Sequence, residues 1–363
     1  MIVALPPLMV AEKPPMALVL GLESSCDETA VALVDNDGNI ISSHLATQEI
    51  LHRPYGGVVP EIAARAHVER LEPLVRKVLN ESGKNLSEID AIAATAGPGL
   101  IGGVMVGFVT GKALSLACKK PLIAINHLEG HALTPRLADK TLSFPYLLLL
   151  ISGGHCQILL VKNVGEYRRL ATTIDDAGGE AFDKTAKILG LGFPGGPAVE
   201  REALNGDPMA VPLPRPLIKS KEPHFSFAGL KTAVLRAYQS GIYKRHDIAA
   251  SFQQAVIDCL VNRSEKALKK IEGENIQINA FVIAGGMAAN QAIRPALTDL
   301  AEAHNLPLIA PPPSLCTDNG AMIAWAGVER FRLGMIDNLE SPARARWPLD
   351  PHAEKARGAG VKA

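Results

Sequence analysis

The chain has 363 residues, a length that suits two domains, and 47% of them are hydrophobic, enough for a large buried core. Lys plus Arg and Asp plus Glu number 37 each, so no global basic field attracts nucleic acid, and any such contact needs a local patch or a partner's surface. The five cysteines (Cys26, Cys118, Cys156, Cys259 and Cys316) are dispersed without a C-x-x-C pair, which fits reduced thiols in a cytoplasm better than a disulfide framework.

Residues 1–15 contain Pro6, Pro7, Pro14 and Pro15. Their apolar pieces are too short to span a membrane, and no basic stretch marks a signal peptide, so they read as a disordered extension. Residues 18–22 form a buried strand. Residues 30–34 and 39–45 make a hairpin around the Asp37-Gly38 turn. Residues 60–80 have helical spacing, with Ile62, Val68, Leu71, Val75 and Leu79 on the apolar face. A short strand at 91–95 runs through Gly97-Pro98-Gly99 into an apolar helix over 104–118. A further strand at 121–126 leads to a helix carrying His127 and His131.

The pattern then restarts. A strand at 146–151, a small-polar turn, and a hairpin over 157–162 and 167–173 repeat the order of residues 18–45. Strands at 280–284 and 307–310 and a last helix at 319–332 complete it. The expected fold is α/β: two duplicated lobes, each a mixed sheet led by a β-hairpin and flanked by helices. The expected divisions are 16–143, 144–317, a C-terminal helix at 318–336 returning to the first lobe, and a loosely held tail at 337–363.

His127 and His131 stand four apart, so on a helix both imidazoles share one face and can reach one cation. Zinc proteases of the His-Glu-x-x-His type carry their general base directly after the first histidine. Here the acid is Glu129, about 200° around the helix from His127, which argues against a protease. Two such histidines alone are more often just solvated or hydrogen-bonded. The candidate third ligand is Asp318, whose ordinary explanation is a helix N-cap. Two histidines and one carboxylate suit iron(II), with zinc close behind.

Glycine turns at 97–99, 152–154, 195–197 and 285–286 adjoin regular elements and permit close backbone approach to a phosphate. None matches G-x-x-x-x-G-K-[ST], which argues against a Walker-type ATPase. Asp183 and Glu200 can accept from ribose hydroxyls, and Asn290 can pair with a base or sugar edge. The alternatives are solvated acids and another N-cap. The loop 23–29 holds Glu23, Asp27 and Glu28 between two apolar strands, which is costly unless something positive is near.

Together, residues 21–29 (G-L-E-S-S-C-D-E-T), 97–99 (G-P-G), 127–131 (H-L-E-G-H), 152–155 (S-G-G-H), 178–184 (G-G-E-A-F-D-K), 225–232 (F-S-F-A-G-L-K-T), 285–290 (G-G-M-A-A-N) and 316–320 (C-T-D-N-G) stand in one family's order. Over residues 17–332 the chain resembles the bacterial tRNA N6-adenosine threonylcarbamoyltransferases, the TsaD family, once misnamed a sialoglycoprotein endopeptidase. It departs at Ala228, where the usual motif has Ser. The resemblance implies an actin-like ATPase fold. It also implies transfer of threonylcarbamoyl from threonylcarbamoyl-adenylate to N6 of the adenosine 3′ of the anticodon, in tRNAs reading codons that begin with A. It places metal ligands on His127, His131 and Asp318. It places adenylate contacts on Leu150, Ile151, Ser152, Gly153, Gly154, Asp183, Gly196 and Asn290, with Glu200 matching a ribose-binding acid of some relatives. Asp27 or Glu28 would position or deprotonate the incoming amine. Implied partners are tRNA, a second actin-like subunit and a small P-loop ATPase. A carbamoyl-adenylate-dependent carbamoyltransferase with a non-tRNA acceptor, or a non-catalytic nucleotide switch, would share parts of the pattern.

Overall fold

The computed structural model describes residues 17–354 and residue 356; the extension read at residues 1–15 lies outside them. In chain order, β1 (Leu18–Glu23), β2 (Glu28–Asp35) and β3 (Ile40–Thr47) precede the short α1 (Glu49–His52) and the long α2 (Pro60–Ser82). Then come β4 (Ala91–Gly97), α3 (Ile101–Cys118), β5 (Leu122–Asn126), α4 (His127–Ala138), β6 (Tyr146–Ile151), β7 (Cys156–Asn163) and β8 (Glu166–Thr172). Helices α5 (Gly178–Leu189), α6 (Gly195–Ala203), α7 (Ala228–Gln239) and α8 (Arg245–Gly273) lead to β9 (Phe281–Ala284), α9 (Ile293–Ala303), β10 (Leu308–Ile309), α10 (Pro313–Cys316) and α11 (Gly320–Arg332). The described elements fall into two compact units. One holds the residues up to Gln48 with Val59–His127 and Asn319–Ala345; the other holds Glu49–Val58, Leu128–Asp318 and the residues from Arg346.

The first unit's sheet has the order β3-β2-β1-β4-β5, an antiparallel hairpin extended by parallel strands. Apart from half-buried Leu18 its central strands β1 and β4 are buried, their side chains alternating between two covered faces. On one face Gly21 and Ala93 meet α11: a Cβ on Gly21 would lie 2.4 Å from the Ala324 amide nitrogen, and one on Gly327 2.5 Å from Ala93 Cβ. On the other face Leu22 and Ala94 meet α3, where a Cβ on Gly111 would lie 2.7 Å from Ala94 Cβ. These glycines let helix backbones seat directly on strands. Helix α3 is long and apolar enough to cross a membrane by length and composition, yet it packs here on β4 and α2.

The buried stripe of α2 is Ala63, Ala66, His67, Leu71, Val75 and Val78, while Val68 is exposed. Of the residues expected on the apolar face, Leu71 and Val75 are buried and Ile62 and Leu79 half-buried; only Val68 points out, and its neighbour His67, about 100° around the helix, takes its place in the core. His67 is fully buried, with Nε2 3.1 Å from the Cys26 carbonyl oxygen and Nδ1 2.8 Å from Thr29 Oγ1. A carbonyl only accepts, so Nε2 carries a proton. Burial lowers its pKa below the ordinary value, against the pull of the Cys26 carbonyl and of Glu23 and Asp27. The unfolded chain therefore binds this proton more readily than the folded one. His67's stabilising contribution is complete above about pH 6.5 and is lost as pH falls toward the lower folded value. Melting temperatures measured across about pH 5 to 8 should show this acid-side loss, and a His67→Gln variant should lack it.

Residues 337–345, expected to be loosely held, are tied down instead. The Asp337 amide donates to Leu122 O and its carboxylate accepts from the Ala124 amide at 2.9 Å, while the Arg344 amide donates to Ala96 O at 2.7 Å. Backbone partners at strand ends fix a segment that has little apolar content of its own.

The second unit repeats the topology, with the sheet order β10-β9-β6-β7-β8: an antiparallel hairpin, then parallel neighbours on the far side of β6. The internal duplication is therefore present at the level of strand order. Helices α5 to α9 contribute to a core in which Phe182 and Phe252 meet edge to face at 4.9 Å. Fully buried Arg263 on α8 donates to the Leu217 and Glu222 carbonyls, both at 2.5 Å, and so holds the loop over 217–222. Helix α4, grouped above with the first half, packs with the second sheet. Leu128 and Ala132 share a core with Tyr146, Leu148 and Val282, and the Tyr146 hydroxyl donates to Ala132 O at 2.7 Å.

Candidate active site

Strand β5 is a fully buried apolar run ending at Asn126, so α4 begins inside the protein and not at its surface. His127 opens that helix and His131 follows one turn later, 6% and 1% exposed. His131 Nε2 lies 3.0 Å from Asp318 Oδ1. His127, His131 and Asp318 each offer a ligand atom, all within 4.8 Å of one another. The ordinary explanation of Asp318 fails, because the cap of α11 is its neighbour: Asn319 Oδ1 accepts from the Met322 amide at 2.9 Å. Two imidazoles and a carboxylate converging in this way fit a divalent ion of the iron or zinc type.

Glu129 is fully buried and turned to other work. Its Oε1 accepts from the Tyr167 hydroxyl at 2.9 Å and from the Gly165 amide at 3.2 Å. Burial, and next the negative charge of Glu129, push the Tyr167 phenol pKa well up, so the hydroxyl stays protonated and keeps donating. Glu129→Ala should therefore cost about 1–3 kcal/mol of stability by stranding these donors, read as a lower denaturant midpoint. No peptidase activity should depend on Glu129, since the carboxylate is engaged by Tyr167 and Gly165.

The adenylate candidates come together in the second unit, around the carboxyl ends of the parallel strands β6 and β9, where open α/β sheets take ligands. The turn after β6 is closed by the Ser152 amide donating to His155 O at 2.8 Å. It abuts α5, where a Cβ on Gly179 would lie 2.8 Å from Gly153 Cα. Asp183 on α5 accepts from the Gly195 amide at 2.8 Å at the start of α6. Glu200 on α6 accepts from the Gln291 amide at 2.7 Å, beside Asn290. Gly285 closes the ring against β6, since a Cβ there would lie 2.5 Å from Ile151 O. Added Cβ atoms at Gly153, Gly154 and Gly196 would meet nothing within 4 Å, so a ligand can lie against bare backbone there. Leu150 and Ile151 send their side chains into the core and have only backbone to offer. Asn290 serves partly as a cap: its Oδ1 accepts from the Ala292 and Ile293 amides at 2.9 and 3.0 Å, while its Nδ2 donates to Gln253 Oε1 at 3.1 Å.

The turn at 97–99 is not a phosphate cradle. The Gly99 amide donates to Ala345 O at 3.2 Å and the Leu100 amide to Ser25 O at 2.8 Å. An added Cβ on Gly97 would lie 1.9 Å from Arg344 O. These glycines serve chain packing inside the first unit. Asp27 and Glu28 are half-buried, and the Asp27 carbonyl accepts from the Gln48 amide at 3.2 Å.

Several participants escaped the sequence reading. Asp175 caps α7, its Oδ1 accepting from the Phe227 amide at 2.7 Å and its Oδ2 from the Ser226 hydroxyl at 2.5 Å. Asp176 pairs with Lys184 at 2.7 Å and with Lys231 at 3.5 Å. The adjacent acids before a glycine pair were the available signal. Their partners lie 51 and 52 residues along the chain for Asp175, a distance at which periodicity is silent.

The model of the TsaD family, tRNA N6-adenosine threonylcarbamoyltransferase, matches residues 39–325. The chain is 70% identical to the protein of that name from Sphingopyxis alaskensis over 348 residues, 96% of this chain and 100% of the relative. It is 65% identical to the one from Novosphingobium aromaticivorans (96% and 100% covered) and 55% identical to the one from Rhodospirillum rubrum (95% and 98%). Among solved structures, full-length HypF in a phosphate- and nucleotide-bound form superposes with a TM-score of 0.57 at 13% identity, covering 90% of this chain and 47% of HypF. HypF from T. kodakarensis gives 0.57 at 15% identity, covering 88% and 48%. At such identity these two likenesses concern the fold alone.

Proposed function

This chain belongs to the tRNA N6-adenosine threonylcarbamoyltransferase family, and on that premise we propose that it is the acyltransferase moving threonylcarbamoyl from threonylcarbamoyl-adenylate to N6 of the adenosine 3′ of the anticodon, in tRNAs reading codons that begin with A. The observation that carries the reading is the meeting of His127, His131 and Asp318, since 187 residues separate His131 from the carboxylate it faces.

The N6 amine of adenine is a weak nucleophile because its lone pair is delocalised into the ring, so the acyl donor must be strongly electrophilic. A mixed carbamic–phosphoric anhydride meets that need. N6 attacks the carbamoyl carbon, the bond from that carbon to the phosphate oxygen breaks, AMP departs, and N6 gives up a proton. A divalent ion held by His127, His131 and Asp318, iron(II) ahead of zinc, would supply Lewis-acid stabilisation of developing charge worth several kcal/mol. The backbone at Ser152, Gly153, Gly154 and Gly196 is suited to lie against the phosphate. Asp183, Glu200 and Asn290 are suited to the ribose and base, and Leu150 and Ile151 support the turn from the core. Asp27 or Glu28 orients the amine or takes its proton.

The face of α3 supports a partner. Ile101, Met105, Val109 and Leu116 are exposed at helical spacing, with Val68 exposed on the adjoining α2. A second actin-like subunit would cover that face, with a small P-loop ATPase resetting the assembly in the cytoplasm. The test is a transfer assay with the purified chain, its accessory subunits, threonylcarbamoyl-adenylate and unmodified tRNA. Formation of the modified nucleoside with release of AMP is the expected result; none formed by a metal-replete, folded chain would overturn the reading.

A further inference from the structure

Glu23 is the last residue of β1, at the start of the chain's first motif. Its side chain is 1% exposed. A carboxylate so deeply buried is costly unless donors surround it. The donors are present: the Ser25 amide at 2.5 Å on Oε1, and the Thr95 hydroxyl at 2.6 Å on Oε2. His127 Nδ1 also lies against Oε2, at 3.1 Å.

A carboxylate accepts and does not donate, so the shared proton sits on His127 Nδ1. Ser25 Oγ lies 3.0 Å from the same nitrogen and can share it. The imidazole is thereby locked in one tautomer, with the Nε2 lone pair presented on the opposite edge of the ring. The loop that aims Glu23 is itself fixed: Ser24 Oγ donates to Gly103 O at 2.9 Å, and His67 holds the Cys26 carbonyl at 3.1 Å.

We infer that Glu23 is the positioning residue for His127, holding it in the Nδ1–H form so that Nε2 faces the cation. The inference rests on the metal reading for its purpose, though not for its geometry. Carboxylate–histidine pairs of this kind orient ligating imidazoles and raise their basicity, and their loss weakens metal binding by about 10- to 100-fold.

Two measurements on the full-length chain decide it. Cobalt(II) affinity by equilibrium dialysis compares the parent with Glu23→Gln, Ser25→Ala and His131→Ala. Glu23→Gln should bind about 10- to 100-fold more weakly with an altered visible absorption spectrum, and Ser25→Ala should stay near the parent. Parent-like binding by Glu23→Gln, with His131→Ala defective, would keep the metal site and overturn the role of Glu23. The second measurement is a long-range nitrogen–proton NMR correlation on the metal-free parent, with the His127 signals assigned from His127→Gln. A protonated Nδ1 and a bare Nε2 are expected. The opposite tautomer would overturn the inference even if Glu23→Gln fails to fold or the parent binds no cobalt.

Discussion

Replacing His131 with alanine is expected to abolish stoichiometric binding of a divalent ion and to cut threonylcarbamoyl transfer by roughly three orders of magnitude, taking several kcal/mol of Lewis-acid stabilisation at about 1.4 kcal/mol per factor of ten. His131 is the middle of the cluster: it shares a helix with His127 and faces Asp318 at 3.0 Å. Asp318→Ala should behave alike and leave α11 intact, because Asn319 supplies its cap. The checks are metal content of the purified variants and modified nucleoside formed per enzyme. Circular dichroism separates loss of chemistry from loss of fold. Activity within a few-fold of the parent in a metal-free His131→Ala would remove the ion from the mechanism.

Phe182→Ala should give the largest loss of stability of the changes considered. The ring is 1% exposed and sits edge to face with Phe252 at 4.9 Å. Truncating such a side chain costs about 3–5 kcal/mol, because the surrounding core collapses only partly. At about 2–4 °C per kcal/mol for domains of this size, the melting temperature should fall on the order of 10 °C. Phe182 immediately precedes Asp183, whose carboxylate holds the start of α6 through the Gly195 amide. The variant should thus also bind adenylate more weakly at temperatures where it remains folded. Unchanged adenylate affinity beside a lowered melting temperature would show that the ring only stabilises the core.

The duplicated fold was legible because each half spells its order locally. Alternating or continuous apolar runs marked the strands, Asp-Gly the first hairpin, and the repeat of strand, hairpin and helix the second half. The strand at 146–151 and the long helix beginning at residue 60 were read to within a few residues. Two of the three candidate metal ligands were legible for the same reason, since the spacing of His127 and His131 fixes their shared face whatever surrounds them. The bulk of the motif match that marks the family lies on contiguous stretches as well.

What residues separated by many positions do to one another was settled only by packing. Spacing cannot show that Asn319 takes the cap and leaves Asp318 to face His131, nor that Glu23 reaches His127 across 104 residues. It could not show that the glycines at 97–99 lie against Ser25 and residues 344–345, or that α2 turns His67 inward in place of Val68. A helical or strand period specifies which side chains share a face. Which face is buried, and which polar atoms then need partners, depends on the surfaces brought against it, and those belong to the folded molecule.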